Sequence, residues 1–149
     1  MKLPPGATGF TPQSGAQADL RAFTAVCHHA AHAIDATVTG VTPAGVTPNF
    51  HTVDIADAQH HISVLRHTTL PFIAFARPHA NGDVMLTFVD HPGLAVALTN
   101  LTDAQALTAE QLQTSLSQVD LSAFSQHEHN QITYWRPTTI GELLFNFWD

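Results

Sequence analysis

The spacing of apolar residues predicts a helix near the start of the chain. Between residues 16 and 34 they recur at steps of three and four, as Leu20, Phe23, Cys27, Ala30, Ala31 and Ile34. One such stripe is typical of an amphipathic helix. Residues 1–15 are rich in proline and glycine, so we expect an irregular arm that is mobile or draped over the core. The chain length favours a single domain over residues 16–149.

Short runs of β-branched and aromatic residues predict an antiparallel meander of about four strands across roughly residues 50–89. The runs are residues 50–55, 62–67, 71–77 and 84–89, and each is bounded by turn residues. Asn81 and Gly82 favour a hairpin turn between the last two runs. Residues 36–49 mix β-branched residues with glycine and proline, which fits an edge strand or a loop.

The third of these runs is apolar on both faces. Successive strand residues point to opposite sides, so Phe72 and Ala74 face one way while Ile73 and Phe75 face the other. Such a strand has to be covered on both sides. Either a second copy of the chain supplies the missing cover, as in a C2 homodimer, or the arm and the short helices of the same chain do.

Capping residues mark four short helices in the C-terminal part. Asp90 is the predicted cap of a helix over residues 91–99, and Thr108 with Gln111 marks the start of a helix to about residue 117. Ser125 with Glu128 marks the start of a helix that ends by Arg136, and Thr139 with Glu142 marks the start of the last helix. The expected fold class is therefore α+β. We expect the helix of residues 16–34 and the C-terminal helices to pack mainly on one face of the meander.

The last helix is predicted to carry an unbroken apolar stripe. Ile140, Leu143, Leu144, Phe147 and Trp148 lie at helical spacing, and Phe145 lies off that stripe. The apolar surface of this segment is therefore wider than one groove needs.

The charge balance argues against a nucleic-acid partner. The chain has 5 Lys and Arg against 12 Asp and Glu, a formal net charge of −7, and the basic residues are dispersed. Phosphate backbones are held by clustered Lys and Arg. Eleven histidines make the surface polar rather than ionic, and their protonation would bring the net charge through zero in mildly acid solution.

The N-terminal sequence and the single cysteine point to the cytoplasm. Residues 1–10 contain no apolar core of signal-peptide length, and no later stretch reaches the 18 apolar residues of a membrane span. Cys27 excludes an intramolecular disulfide. It lies on the apolar stripe of the first helix, so we interpret it as a core thiol rather than as a nucleophile activated by His28.

Candidate metal ligands lie on the first predicted helix. His28 and His32 are one turn apart, and Asp35 is available as a third ligand, so a Zn²⁺ site is one hypothesis. Arg21 lies on the same stripe and opposes a cation, which favours a solvated polar face instead. The sequence has no nucleophile elbow, phosphate-binding glycine loop or paired-cysteine motif. We therefore predict no catalytic residue and, apart from zinc, no cofactor.

A cluster of aromatic residues near the C-terminus is the remaining candidate surface. The proposed contact residues are Tyr134, Trp135, Arg136, Phe145 and Trp148, and the alternative is that they cap the core. Our leading hypothesis is a non-enzymatic protein-interaction module that forms a homodimer and binds a protein or peptide through this aromatic surface or through a sheet edge. The alternative is a metal-dependent or histidine-assisted protein or enzyme that binds a small molecule.

Overall fold

The computed structural model describes residues 2–4, 6–8, 20–45, 48–78 and 86–148. The helices are α1 (Leu20–Ala33), α2 (Pro92–Thr99), α3 (Ala109–Leu112), α4 (Gln126–Trp135) and α5 (Ile140–Leu144), with a 3-10 turn at Leu116–Gln118. The strands are β1 (Thr37–Thr42), β2 (Phe50–Ala56), β3 (His61–His67), β4 (Phe72–Ala76), β5 (Phe88–Val89) and β6 (Gln105–Ala106). The predicted α+β fold is confirmed. None of the described helices is long and apolar enough to cross a membrane.

The sheet is the predicted sequential meander. Strands β1 to β5 lie side by side in chain order and pair antiparallel, and β6 pairs parallel with β4. The segment expected to be an edge strand or a loop forms the edge strand β1, with a bulge between Val38 and Gly40. The predicted turn at Asn81 and Gly82 lies outside the described residues, which resume at Leu86.

Strand β4 is buried on both faces, as its sequence predicts. Ile73 and Phe75 pack with α1 and α2, whereas Ala74 and Ala76 pack with the arm, α5 and their neighbours. The expectation that the helices lie mainly on one face is therefore wrong. A central strand with two apolar faces needs two covering layers, and this chain supplies both of them.

A buried carboxylate ties the arm to the second of these layers. Ser125 caps α4 by accepting a hydrogen bond from the Glu128 backbone N–H, as predicted. The Glu128 side chain, however, is 1% exposed and takes no part in a capping box. Its carboxylate accepts from the backbone N–H of Gly6 at 3.0 and 3.1 Å and from the Thr8 hydroxyl at 2.8 Å. Leu3, next to this contact, is fully buried.

A buried histidine holds the same arm from the sheet side. The His67 Nδ1 atom accepts from the backbone N–H of Leu70 at 3.1 Å and of Thr69 at 3.2 Å, so the proton lies on Nε2. The Nε2–H therefore donates to the Ala7 carbonyl oxygen at 2.8 Å. Burial lowers the pKa of His67 to about 4. The hydrogen bond to Ala7 acts in the opposite direction, and the positive charge of Arg66 lowers the pKa slightly further.

Two of the predicted helix boundaries need correction. Asp90 does not cap α2; the His91 Nδ1 atom does, by accepting from the Leu94 N–H at 3.1 Å. Asp90 instead accepts from the Ala109 N–H at the start of α3. The Thr108 and Gln111 capping box is present, but α3 ends at Leu112 rather than near residue 117.

The last helix is also shorter than its apolar stripe predicts. Helix α5 ends at Leu144, so Phe147 and Trp148 do not continue it. The Asn146 amide donates to the Leu143 carbonyl oxygen at 2.8 Å and to the Thr8 carbonyl oxygen at 3.0 Å. Its backbone N–H donates to the Asn49 side chain. These contacts with the arm and the sheet turn the chain out of the helix.

We predict that acidification destabilises the protein through His67. Its folded pKa of about 4 lies below its ordinary value of 6.5, so the unfolded state takes up the proton first. Stability is complete above about pH 6.5 and falls by about 3 kcal/mol towards pH 4. Denaturant unfolding at several pH values measures this loss. The free energy of unfolding should depend less on pH in His67→Gln than in the unmodified protein. His29→Gln changes an exposed histidine of α1 and should keep the original pH dependence. Equal pH dependence in the two variants contradicts the assignment to His67.

We also predict that Glu128→Gln lowers the free energy of unfolding by about 2–3 kcal/mol, because a neutral amide offers one acceptor oxygen in place of two charged ones. Glu110→Gln removes an exposed carboxylate from α3 and serves as the matched control. Chemical denaturation of both variants measures the difference. Equal stabilities would show that the Glu128 contact contributes nothing.

Candidate functional site

The aromatic residues near the C-terminus converge on one cleft, which we call the aromatic cleft. It encloses about 370 Å³ and is lined by Trp135, Arg136, Pro137, Glu142, Phe145, Asn146, Phe147 and Trp148. Four of the five proposed contact residues are therefore among its walls, and the fifth, Tyr134, is next to it in sequence.

The cleft forms because the chain reverses direction at the end of α4. Arg136 adopts the left-handed backbone conformation, with φ 54° and ψ 54°, and Pro137 cannot continue a helix. The Glu142 carboxylate accepts from the Thr138 backbone N–H at 2.6 Å and from the Thr138 hydroxyl at 2.9 Å. The connection between α4 and α5 is thus held at both of its ends.

Two indole rings make the main wall of the cleft. The rings of Trp135 and Trp148 are parallel to within 2°, with centroids 6.0 Å apart. Tyr134 meets Trp135 edge to face at 5.1 Å and is 75% exposed. The Trp135 Nε1–H donates to the Gln131 side-chain oxygen at 3.1 Å, which fixes the ring orientation. Tyr134 and Trp135 are the exposed rings of this wall, and Trp148 is half-buried.

Phe145 has a different role from the one its sequence context suggests. Its side chain is 2% exposed, and its ring packs near Phe50 at 5.8 Å and Phe88 at 6.1 Å. It belongs to the core beneath the cleft, so a partner would contact it little. Helix α5 ends at Leu144, so Phe145 leaves the helix and its side chain enters the core. The sequence pattern does not reveal this helix end.

The candidate zinc ligands do not assemble into a site in the described part of the chain. His28 and His32 are exposed on α1, and Asp35 follows the helix with a positive φ of 57°. Among the residues that the structure describes, no three His, Cys, Asp or Glu side chains are placed to hold one metal ion.

Several residues of the cleft were not among the sequence candidates. Pro137 and Asn146 line it, and Asn146 also joins the arm to the end of α5. Pro137 directly follows Arg136 in the sequence, so it could have been predicted as a residue of this surface. Asn146 could not, because its partner Thr8 lies at the opposite end of the chain.

No known protein family, curated protein or solved structure matches this chain. Its function has to be inferred from the chemistry of its own surfaces. The aromatic cleft is the surface on which four of the five candidate contact residues meet.

We predict that Cys27 is unreactive in the native protein. The thiol is fully buried, and burial raises its pKa to about 12, so the nucleophilic thiolate is scarce at neutral pH. A chromogenic disulfide reagent should therefore modify the thiol only after unfolding in denaturant. Rapid modification of the native protein would contradict the assignment of Cys27 to the core.

Proposed function

We propose that this protein is a non-enzymatic interaction module that binds an extended, proline-containing segment of a partner protein in the aromatic cleft. The observation that carries the proposal is the parallel pair of Trp135 and Trp148 beside the exposed ring of Tyr134. Large, ordered aromatic surfaces of this kind supply much of the binding energy at interfaces.

Proline-containing segments fit this surface for two physical reasons. A proline ring is apolar and flat enough to pack on an indole face, and the polyproline II conformation loses little entropy on binding. The volume of about 370 Å³ is within the range of sites that enclose a few side chains. The net charge of −7 favours a neutral or basic partner over an acidic one.

A second copy of this chain is the other partner that we propose for the same surface. The chain itself covers both faces of β4, so a second copy is not needed to cover that strand. In the dimer that we propose, the exposed rings of Tyr134 and Trp135 lie against their counterparts across a two-fold axis.

The aromatic cleft contains its own spectroscopic probe. The chain has two tryptophans, and both line this cleft, so intrinsic fluorescence reports on its occupancy. We expect proline-rich ten-residue peptides of neutral or basic charge to cause a saturable change in emission, and alanine-substituted versions of the same peptides to cause none. Trp135→Ala should weaken peptide binding, measured by calorimetry, by about ten-fold or more. Val96→Ala removes apolar surface from α2 and is the matched control.

Light scattering on the same samples separates the two kinds of partner. If the protein is a monomer and the peptides bind, the partner is a foreign segment. If it forms a dimer that Trp135→Ala dissociates, a second copy occupies the surface. If the protein is monomeric and no peptide changes the emission, the proposed function is wrong.

A further inference from the structure

A second cleft lies on the opposite layer of the protein, between α1 and the loop that follows α2. It encloses about 530 Å³ and is lined by Ala22, Phe23, Val26, Arg66, Thr99, Asn100, Leu101, Thr102 and Asp103. Phe23 and Val26 make one side apolar, and residues 99–103 make the other side mostly polar. Among the described residues that line this cleft, Arg66 is the basic one. None of the site residues proposed from the sequence lines it.

Arg66 reaches this cleft from the end of β3. Side chains alternate along the strand, and Val64, two residues earlier, packs in the core beneath α1. The Arg66 Nη1 atom donates to the carbonyl oxygen of His67 at 2.8 Å and to that of Leu70. These two contacts anchor one corner of the guanidinium group.

The remainder of the guanidinium group has no protein partner in the described part of the chain. Within those residues no carboxylate lies within 4.0 Å of Arg66, and no oxygen accepts a hydrogen bond from Nε or Nη2. Asp103, the acidic residue of the cleft, is exposed at its rim. Burial lowers the pKa of Arg66, which is the sign of a charge held partly out of water. A counter-charge bound in the cleft would pair with this guanidinium more strongly than with one fully in water.

We propose that this cleft binds a small organic acid, whose carboxylate pairs with the Nε and Nη2 donors of Arg66 and whose apolar body packs against Phe23 and Val26. The planar fork of a guanidinium group matches the two oxygens of a carboxylate. A monocarboxylate fits better than a phosphate dianion, because Asp103 and the net charge of −7 oppose additional negative charge. This site is separate from the aromatic cleft and does not depend on the function proposed for it.

The first test titrates the isotopically labelled protein with phenylacetate, phenylacetamide and inorganic phosphate, and follows backbone amide signals by NMR. We expect phenylacetate to cause saturable shifts in residues 99–103. Phenylacetamide has the same shape without the charge and should bind about ten-fold more weakly or worse. Absence of saturable shifts with phenylacetate overturns the proposal. Equal binding of the amide overturns the role of Arg66, and tighter binding of phosphate overturns the assignment to a carboxylate.

The second test uses variants that separate binding from folding. Arg66→Lys keeps the charge but loses the fork, so it should weaken phenylacetate binding by about ten-fold. Ala22→Trp fills the cleft from an exposed position on α1 and leaves Arg66 in place, so it should abolish binding. Ala33→Trp, exposed at the other end of α1, is the matched control and should bind normally. Thermal unfolding verifies that each variant is folded. Unchanged binding in Ala22→Trp overturns the location of the site.

Discussion

The Glu128 carboxylate is the contact on which the second layer of this fold depends. It lies inside the protein and holds the backbone of the arm at Gly6 and Thr8. The Thr8 carbonyl oxygen in turn accepts from the amide of Asn146, which turns the chain out of α5 and towards the cleft. The position of the C-terminal aromatic residues therefore rests on hydrogen bonds that begin at the start of α4. The burial of this carboxylate is tolerable because three donors replace its contacts with water: the Gly6 N–H, shared by both oxygens, the Thr8 N–H and the Thr8 hydroxyl.

The two layers differ in how they cover the sheet. The layer of α1 and α2 is almost wholly apolar, with Cys27 among its buried residues. The opposite layer combines apolar packing with the buried polar groups of Glu128, His67 and Asn146. Short helices and an irregular arm leave backbone N–H and C=O groups without partners, and these side chains satisfy some of them. The polar network is thus a consequence of building a layer from short pieces.

Adjacent residues of β3 face opposite layers of the protein. His67 faces the arm and stays neutral because it is buried, whereas Arg66 faces the cleft beside α1. The charge of Arg66 helps to keep His67 unprotonated, and Arg66 donates to the His67 carbonyl oxygen. An anion bound at Arg66 would reduce that repulsion.

Sequence by itself determined the features that depend on neighbours along the chain. Periodicity predicted α1, the meander and the two apolar faces of β4, and the capping box at Thr108 and the end of α4 before Pro137 followed from local chemistry. Tertiary structure decided the rest. It made Glu128 an anchor for the arm 120 residues away, buried Phe145, and placed Arg66 in a cleft with α1 and the loop after α2. The physical reason is range. Caps and periodicity act within a few residues, whereas Thr8 at Glu128, Phe50 at Phe145, and the cleft walls from α1 and residues 99–103 beside Arg66 are distant in sequence and come together only in the folded chain.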